Sequence, residues 1–249
     1  RRLAKIGAIN VHVVELPAQA NIDTAAAALA RNAHFKFVER DRIFPPAATT
    51  NDPSLADQWH LTKIGAPTAW DTSTGNNLVI AILDSGVDGS HPDLVARMIG
   101  GWNAYDNNYQ TADVTGHGTL VAGTAAATGN NAVGVASVAY AARIMPVRIS
   151  DANGYAASST IASGLTWAAD NGARVANISF GVAGYATVES AAQYFKGKGG
   201  LTMVAAGNDG ALLNTYPSGN MVVVPAPDTN AQKTPWSNYG PFVSTPPPA

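Results

Sequence analysis

The chain has 249 residues, 46% of them hydrophobic and 13% charged, a length that suits one ordinary domain plus a small one and a composition that suits a buried core rather than a disordered tail. The formal net charge of −2 gives no electrostatic basis for a nucleic-acid or membrane-surface partner. Cysteine is absent, which excludes disulfides, thiolate metal sites and a cysteine nucleophile, yet leaves secretion open because a core of this size needs no staples.

The chain opens on Arg1-Arg2 without an initiator methionine and without a signal-peptide pattern, so it reads as trimmed. No apolar run approaches the ~20 residues that span a membrane. Residues 1–46 read as a unit of their own. Ile9 to Leu16 is rich in β-branched residues and is predicted as a strand. Asn21 to Arg31 is alanine-rich, with Ile22, Ala26, Leu29 and Ala30 forming one apolar stripe, and is predicted as a helix. His34 to Glu39 alternates apolar and polar residues and is predicted as a second strand. Such a thin α/β unit needs a partner surface to be stable. Pro45 to Pro53 is turn- and proline-rich, as an exposed linker and cleavage site would be, and sets the boundary between 1–46 and 47–249.

Beyond residue 60 strands and helices alternate. Leu78 to Leu83 is a continuous apolar run, the pattern of a strand buried on both faces. Ala142–Ile149, Val175–Ser179, Leu201–Ala206 and Met221–Val224 are further predicted strands. Ser158 to Asp170 reads as a helix with Ile161, Leu165 and Ala168 on one face, and Val188 to Lys196 as another. The alternation implies a three-layer α/β/α domain with a mostly parallel sheet, whose site lies beyond the carboxyl ends of the strands.

Three side chains stand where such a site is expected. Asp84 directly follows the buried run; it is either a satisfied turn aspartate or a catalytic group. His117, in Gly116-His117-Gly118-Thr119, is placed in the first turn of a helix, and glycine on both sides leaves its imidazole uncovered; a lone histidine there is more often structural. Asn208, in Ala205-Ala206-Gly207-Asn208-Asp209-Gly210, is either an ordinary turn residue or an amide donor to a developing oxyanion.

Together these three segments resemble the subtilisin-like serine proteases, in particular their thermitase-type branch. Asp84 and His117 are 33 positions apart and His117 and Asn208 are 91 apart, against about 32 and about 91 in the subtilisin order. The resemblance implies that Asp84 orients His117, that His117 serves as the general base and acid, and that Asn208 holds the oxyanion. It implies a peptide-binding strand at Ser179, Phe180 and Gly181, and one wall of a specificity pocket at Ala205, Ala206 and Gly207. Residues 1–46 resemble the family's prosegment, which assists folding and covers the cleft; an unrelated small α/β cap is the other reading. Residues 128–135 resemble the family's calcium loop, and the ligands implied are Asp52, Asp93, the amide of Asn131 and the carbonyls of Gly129, Val133 and Val135; an ordinary polar turn is the alternative. The implied partners are polypeptide substrates and the chain's own prosegment, with no nucleic acid or membrane, and the implied state is a secreted monomer.

The family's nucleophile segment, of Gly-Thr-Ser-Met-Ala type, has no match. Its serine stands about 157 residues after the histidine in subtilisin order, a position past residue 249. The expectation is therefore a chain truncated before its serine, and inactive as it stands; Ser244 in the proline-rich tail lacks the small-residue helix start that a nucleophile needs. Leu120 departs from a second, non-catalytic histidine common in the family. A pseudoenzyme that binds peptides without cutting them shares every motif. A nucleotide-binding protein is disfavoured because Gly116-x-Gly118-x-x-Val121 lacks the third glycine and there is no phosphate-loop lysine. A metalloprotease is disfavoured because the five histidines show no His-Glu-x-x-His spacing.

Overall fold

The computed structural model describes residues 2–41, 49–214 and 219–243. Pro45–Ala48 of the predicted linker and the tail with Ser244 lie outside the described residues. The chain divides into two compact units, Arg1–Pro46 and Ala47–Ala249.

The first unit is a hairpin and a helix. Strand β1 (Arg2–Ile6) pairs antiparallel with β2 (Val11–Val14) across a short 3-10 turn at Gly7–Ile9, closed by Asn10 in the left-handed region. Helix α1 (Ile22–Ala30) begins where Asn21 accepts the Thr24 N–H, an N-cap that satisfies one of the helix's free donors. The predicted strand at 34–39 is not a strand. The Asn32 side chain accepts from the His34 N–H and its carbonyl from the Phe35 N–H, so the helix exit continues into turns. Alternation alone did not supply the segment with a pairing edge; β2 finds its partner in Arg2–Ile6, which has neither alternation nor strong β propensity. Of the α1 stripe, Ile22 is 48% and Leu29 36% exposed.

The second unit opens with two short helices, α2 (Trp59–Lys63) and α3 (Ala66–Trp70), whose Leu61, Ala66 and Trp70 pack in a small cluster with Ala136. Six parallel strands follow: β3 (Val79–Asp84), β4 (Trp102–Asn103), β5 (Arg143–Arg148), β6 (Val175–Ile178), β7 (Leu201–Ala205) and β8 (Met221–Val224), in the spatial order β4-β5-β3-β6-β7-β8. Helix α4 (His117–Ala126) covers one face, and α5 (Ser158–Asp170) and α6 (Ala186–Gly197) cover the other. The period-2 geometry of a strand explains the two cores. Ile80 and Ile82 of β3 pack with Ala122 and Ala126 of α4, while Ala81 and Leu83 pack with Ile161, Leu165 and Ala168 of α5. Each fully buried leucine or isoleucine of this kind contributes about 1.5–3 kcal/mol. This is the expected three-layer α/β/α arrangement.

Chain order positions the site. From β3 the chain goes to one side of the sheet for β4 and β5, then crosses to β6 on the other side. β3 thus sits where the winding reverses, and the crevice beyond its carboxyl end is where open α/β sheets bind ligands. Asp84 is the last residue of β3.

Candidate active site

Asp84 is 1% exposed, held between β5 and β6 at the end of the central strand. His117 is the first residue of α4, after Gly116 at φ +86°, and its side chain is 55% exposed. The Asp84 carboxylate and the His117 imidazole meet: Oδ1 lies 2.7 Å from Nδ1. A carboxylate can only accept, so Nδ1 carries the proton and Nε2 is left as the base. Asp84 Oδ1 also accepts the Ser85 N–H at 2.7 Å. Two close approaches seat α4 and the loop before it on this turn. A Cβ on Gly118 would lie 2.0 Å from the Gly86 carbonyl oxygen, and one on Gly86, itself at φ +105°, would lie 2.4 Å from that of Ala112. Only glycine lets helix and turn come this close.

Asn208 follows β7 and is exposed. Its loop is clamped by a residue of Ser237–Gly240, a segment that resembles a family strand-turn but to which the sequence assigned no role in the site. Asn238, 5% exposed, accepts the Asp209 and Ala211 N–H groups at 2.9 Å each and donates to the Ala206 carbonyl at 3.0 Å, while its own N–H bonds the Gly207 carbonyl. The Ser179–Gly181 segment lies against Ala206–Gly207: a Cβ on Gly181 would stand 3.5 Å from Gly207 Cα. Phe180 turns its ring toward the α5/α6 core. An apolar groove of about 600 Å³ joins these parts. Val121 and Ala125 of α4 form one side, Val175, Met203 and Val224 of the sheet form the floor, and Ser179, Gly207 and Asn208 also line it. The strand residues on this floor alternate with those facing α5 and α6.

Asp113 is a second residue to which the sequence reading assigned nothing. Its carboxylate accepts from Ser85 Oγ, from the Thr115, Gly116 and Thr119 N–H groups and from Thr119 Oγ1. Burial favours its neutral form, but the Thr119 and Ser85 hydroxyls and the Thr115 and Thr119 N–H groups outweigh it and hold the pKa below the ordinary carboxylate value. A local cue existed, Asp113 four residues before His117 and Thr119 two residues after it, but short polar residues near a helix start are too common to single one out.

Asp52 and Asp93 are 4% and 1% exposed and converge on the 129–135 loop. Asp52 accepts the Asn130 and Asn131 N–H groups; Asp93 accepts the Asn131 side-chain amide at 2.8 Å and the Val135 N–H at 2.9 Å. A Cβ on Gly134 would fall 2.5 Å from Asp93 Oδ2. Among the described residues, no cationic side chain pairs with either carboxylate, and no donor reaches the carbonyl oxygens of Gly129, Val133 or Val135. Two buried anions without a countercharge, beside open carbonyl oxygens, fit a hard divalent cation with oxygen ligands. Among the described residues no group of three or more His, Cys, Asp or Glu is placed to hold a metal ion, so a cation here would depend on backbone and amide oxygens as well.

The model of the Subtilase family matches residues 75–247. The chain belongs to the subtilase family. Thermitase of Thermoactinomyces vulgaris is 40% identical over 199 residues, covering 78% of this chain and 71% of thermitase. A thermophilic serine proteinase of Bacillus sp. (strain AK1) is 38% identical over 228 residues, covering 90% of this chain and 57% of that protein. Among solved structures, a protease from Pseudoalteromonas arctica matches with a TM-score of 0.72 at 33% identity, covering 79% of this chain and 71% of that one. A cold adapted subtilisin-like serine proteinase matches with a TM-score of 0.61 at 31% identity, covering 69% and 62%. This subtilase is thus of the thermitase type and shares the subtilisin-like fold. No helix among its described residues is long and apolar enough to cross a membrane.

Proposed function

We propose that this subtilase is a secreted serine endopeptidase in proprotein form, and that these residues carry every part of its catalytic centre except the nucleophile. The observation that carries the reading is the 2.7 Å contact from His117 Nδ1 to the buried Asp84, with the imidazole otherwise exposed. Asp84 fixes the tautomer and stabilises the imidazolium. Nε2 of His117 removes the proton from the attacking serine hydroxyl and returns it to the leaving amine. The Asn208 amide donates to the tetrahedral oxyanion. Substrate enters as an extended strand along Ser179–Gly181, its side chain before the cut resting on Ala205–Gly207. That wall is small and apolar, which suits large apolar or aromatic side chains.

The serine belongs to a Gly-Thr-Ser-Met-Ala type segment that these 249 residues do not contain. The apolar groove beside α4 is a surface that such a segment can cover, and it reaches Asn208. Residues 1–46 act as the prosegment. In support, the stretch shared with the Bacillus proteinase covers 90% of this chain, more than residues 47–249 alone can supply. Asp52, Asp93, Asn131 and the Gly129, Val133 and Val135 carbonyls hold a structural Ca2+ that neutralises the buried pair and closes the loop. The protein works as a monomer on polypeptides.

The test is hydrolysis of casein by a protein that includes the serine segment, with and without a serine-directed inhibitor. Inhibitor-sensitive cleavage is expected. Peptide binding without any cleavage would favour the second reading, a subtilase-like peptide-binding protein.

A further inference from the structure

His117 has little to hold it. It opens a helix between two glycines, and more than half of its side chain is exposed. Beyond the Asp84 contact, its placement comes from the backbone on which it sits. That backbone is tied to the backbone of Asp84 through one acidic side chain. Ser85 follows Asp84; its N–H bonds Asp84 Oδ1 and its Oγ donates to Asp113 Oδ1 at 2.7 Å. Gly118 and Thr119 follow His117. The Gly118 N–H donates to the same Ser85 Oγ at 3.0 Å, and the Thr119 N–H and hydroxyl both donate to Asp113 Oδ2. The Thr115 and Gly116 N–H groups, just before His117, donate to Asp113 Oδ1.

We propose that Asp113 is a positioning residue for the Asp84–His117 pair, its carboxylate bracing the turn after Asp84 against the first turn of α4 so that the imidazole is held on its partner. The inference rests on the function proposed above. Five donors converge on two oxygens, and only an acceptor-only group can receive them all. An amide would turn its NH2 toward either Thr119 or Ser85 and leave donors facing donors. Thr119 extends the brace, since its Oγ1 accepts the Asp88 N–H at 2.9 Å.

The experiment is proton NMR of the whole 249-residue chain, following the low-field N–H resonance of the imidazole bonded to Asp84. Asp84→Asn assigns that resonance by abolishing it. Its absence from the unsubstituted chain would overturn the pair itself, and with it the proposed function, whatever Asp113 does. If it is present, Asp113→Asn is expected to broaden or remove it while amide resonances of β3 and α5 stay in place. Thr119→Val is expected to speed its exchange with solvent about tenfold, the equivalent of one ordinary hydrogen bond, and Thr119→Ser to restore the slow rate. A purely structural role would lower stability without moving this proton. An unchanged resonance and exchange rate in Asp113→Asn would overturn the inference. Should that variant not fold, an unchanged rate in Thr119→Val would overturn it.

Discussion

Asp84 Oδ1 and His117 Nδ1 lie 2.7 Å apart although one ends a strand at the centre of the sheet and the other opens a solvent-exposed helix turn. The contact joins a buried strand end to an exposed helix start. Its consequence is a base with one nitrogen occupied and the other open, which is the state that proton transfer to and from a substrate requires. In a protein that includes the nucleophile segment, Asp84→Asn leaves the packing intact but offers Nδ1 the wrong partner. The expected loss in kcat is about 10⁴-fold, read by steady-state peptide hydrolysis.

The fit of α4 on the β3 turn rests on Gly118. Gly118→Ala places a methyl group 2.0 Å from the Gly86 carbonyl oxygen, in backbone that cannot swing aside as a side-chain end can. A destabilisation of about 1–3 kcal/mol is expected in urea unfolding, with helix and turn forced apart and the imidazole drawn off Asp84.

The opposite sign is expected in the α5/α6 core. Thr202 on β7 is 0% exposed, and its hydroxyl has no hydrogen-bond partner among the described residues. Thr202→Val keeps the β-branched shape and removes the unsatisfied group. A gain of about 1–3 kcal/mol is expected, read as a raised denaturation midpoint at unchanged slope.

Asp113 makes part of the stability pH-dependent. Its folded-state pKa is depressed, so the folded chain binds this proton less readily than the unfolded one. The contribution is present above the ordinary carboxylate value and is lost as pH falls through the lower folded value. Unfolding curves of the native chain and of Asp113→Asn are expected to differ at neutral pH and to draw together below about pH 4.

Calcium is expected to stabilise the chain by mass action. At a concentration 100 times its Kd the gain is about 2.7 kcal/mol. Thermal scans with calcium and with a chelator should differ accordingly. Asp93→Asn, which removes one of the two buried charges, should erase the difference.

What the sequence disclosed, and what it withheld, follows from where each signal is stored. Leu78–Leu83 is apolar throughout because both faces of β3 are covered, and Asp84 stands out as the first polar residue after it. Ile161, Leu165 and Ala168 repeat at helical spacing because one face of α5 is buried. Those signals are local. The hairpin partner Arg2–Ile6, the turns at 34–39 and the five-residue helices α2 and α3 carry weak local preference and take their form from pairing and packing. The clamps at Asp113 and Asn238 are tertiary by nature. Asn238 reads as a turn residue until its amide is seen spanning Ala206, Asp209 and Ala211.

The most direct test of the account is the turnover number of a serine-bearing protein with and without its imidazole. His117→Ala is expected to reduce peptide hydrolysis by several orders of magnitude, to the small residue that binding and oxyanion contacts sustain. Retention of full activity by His117→Ala would contradict it.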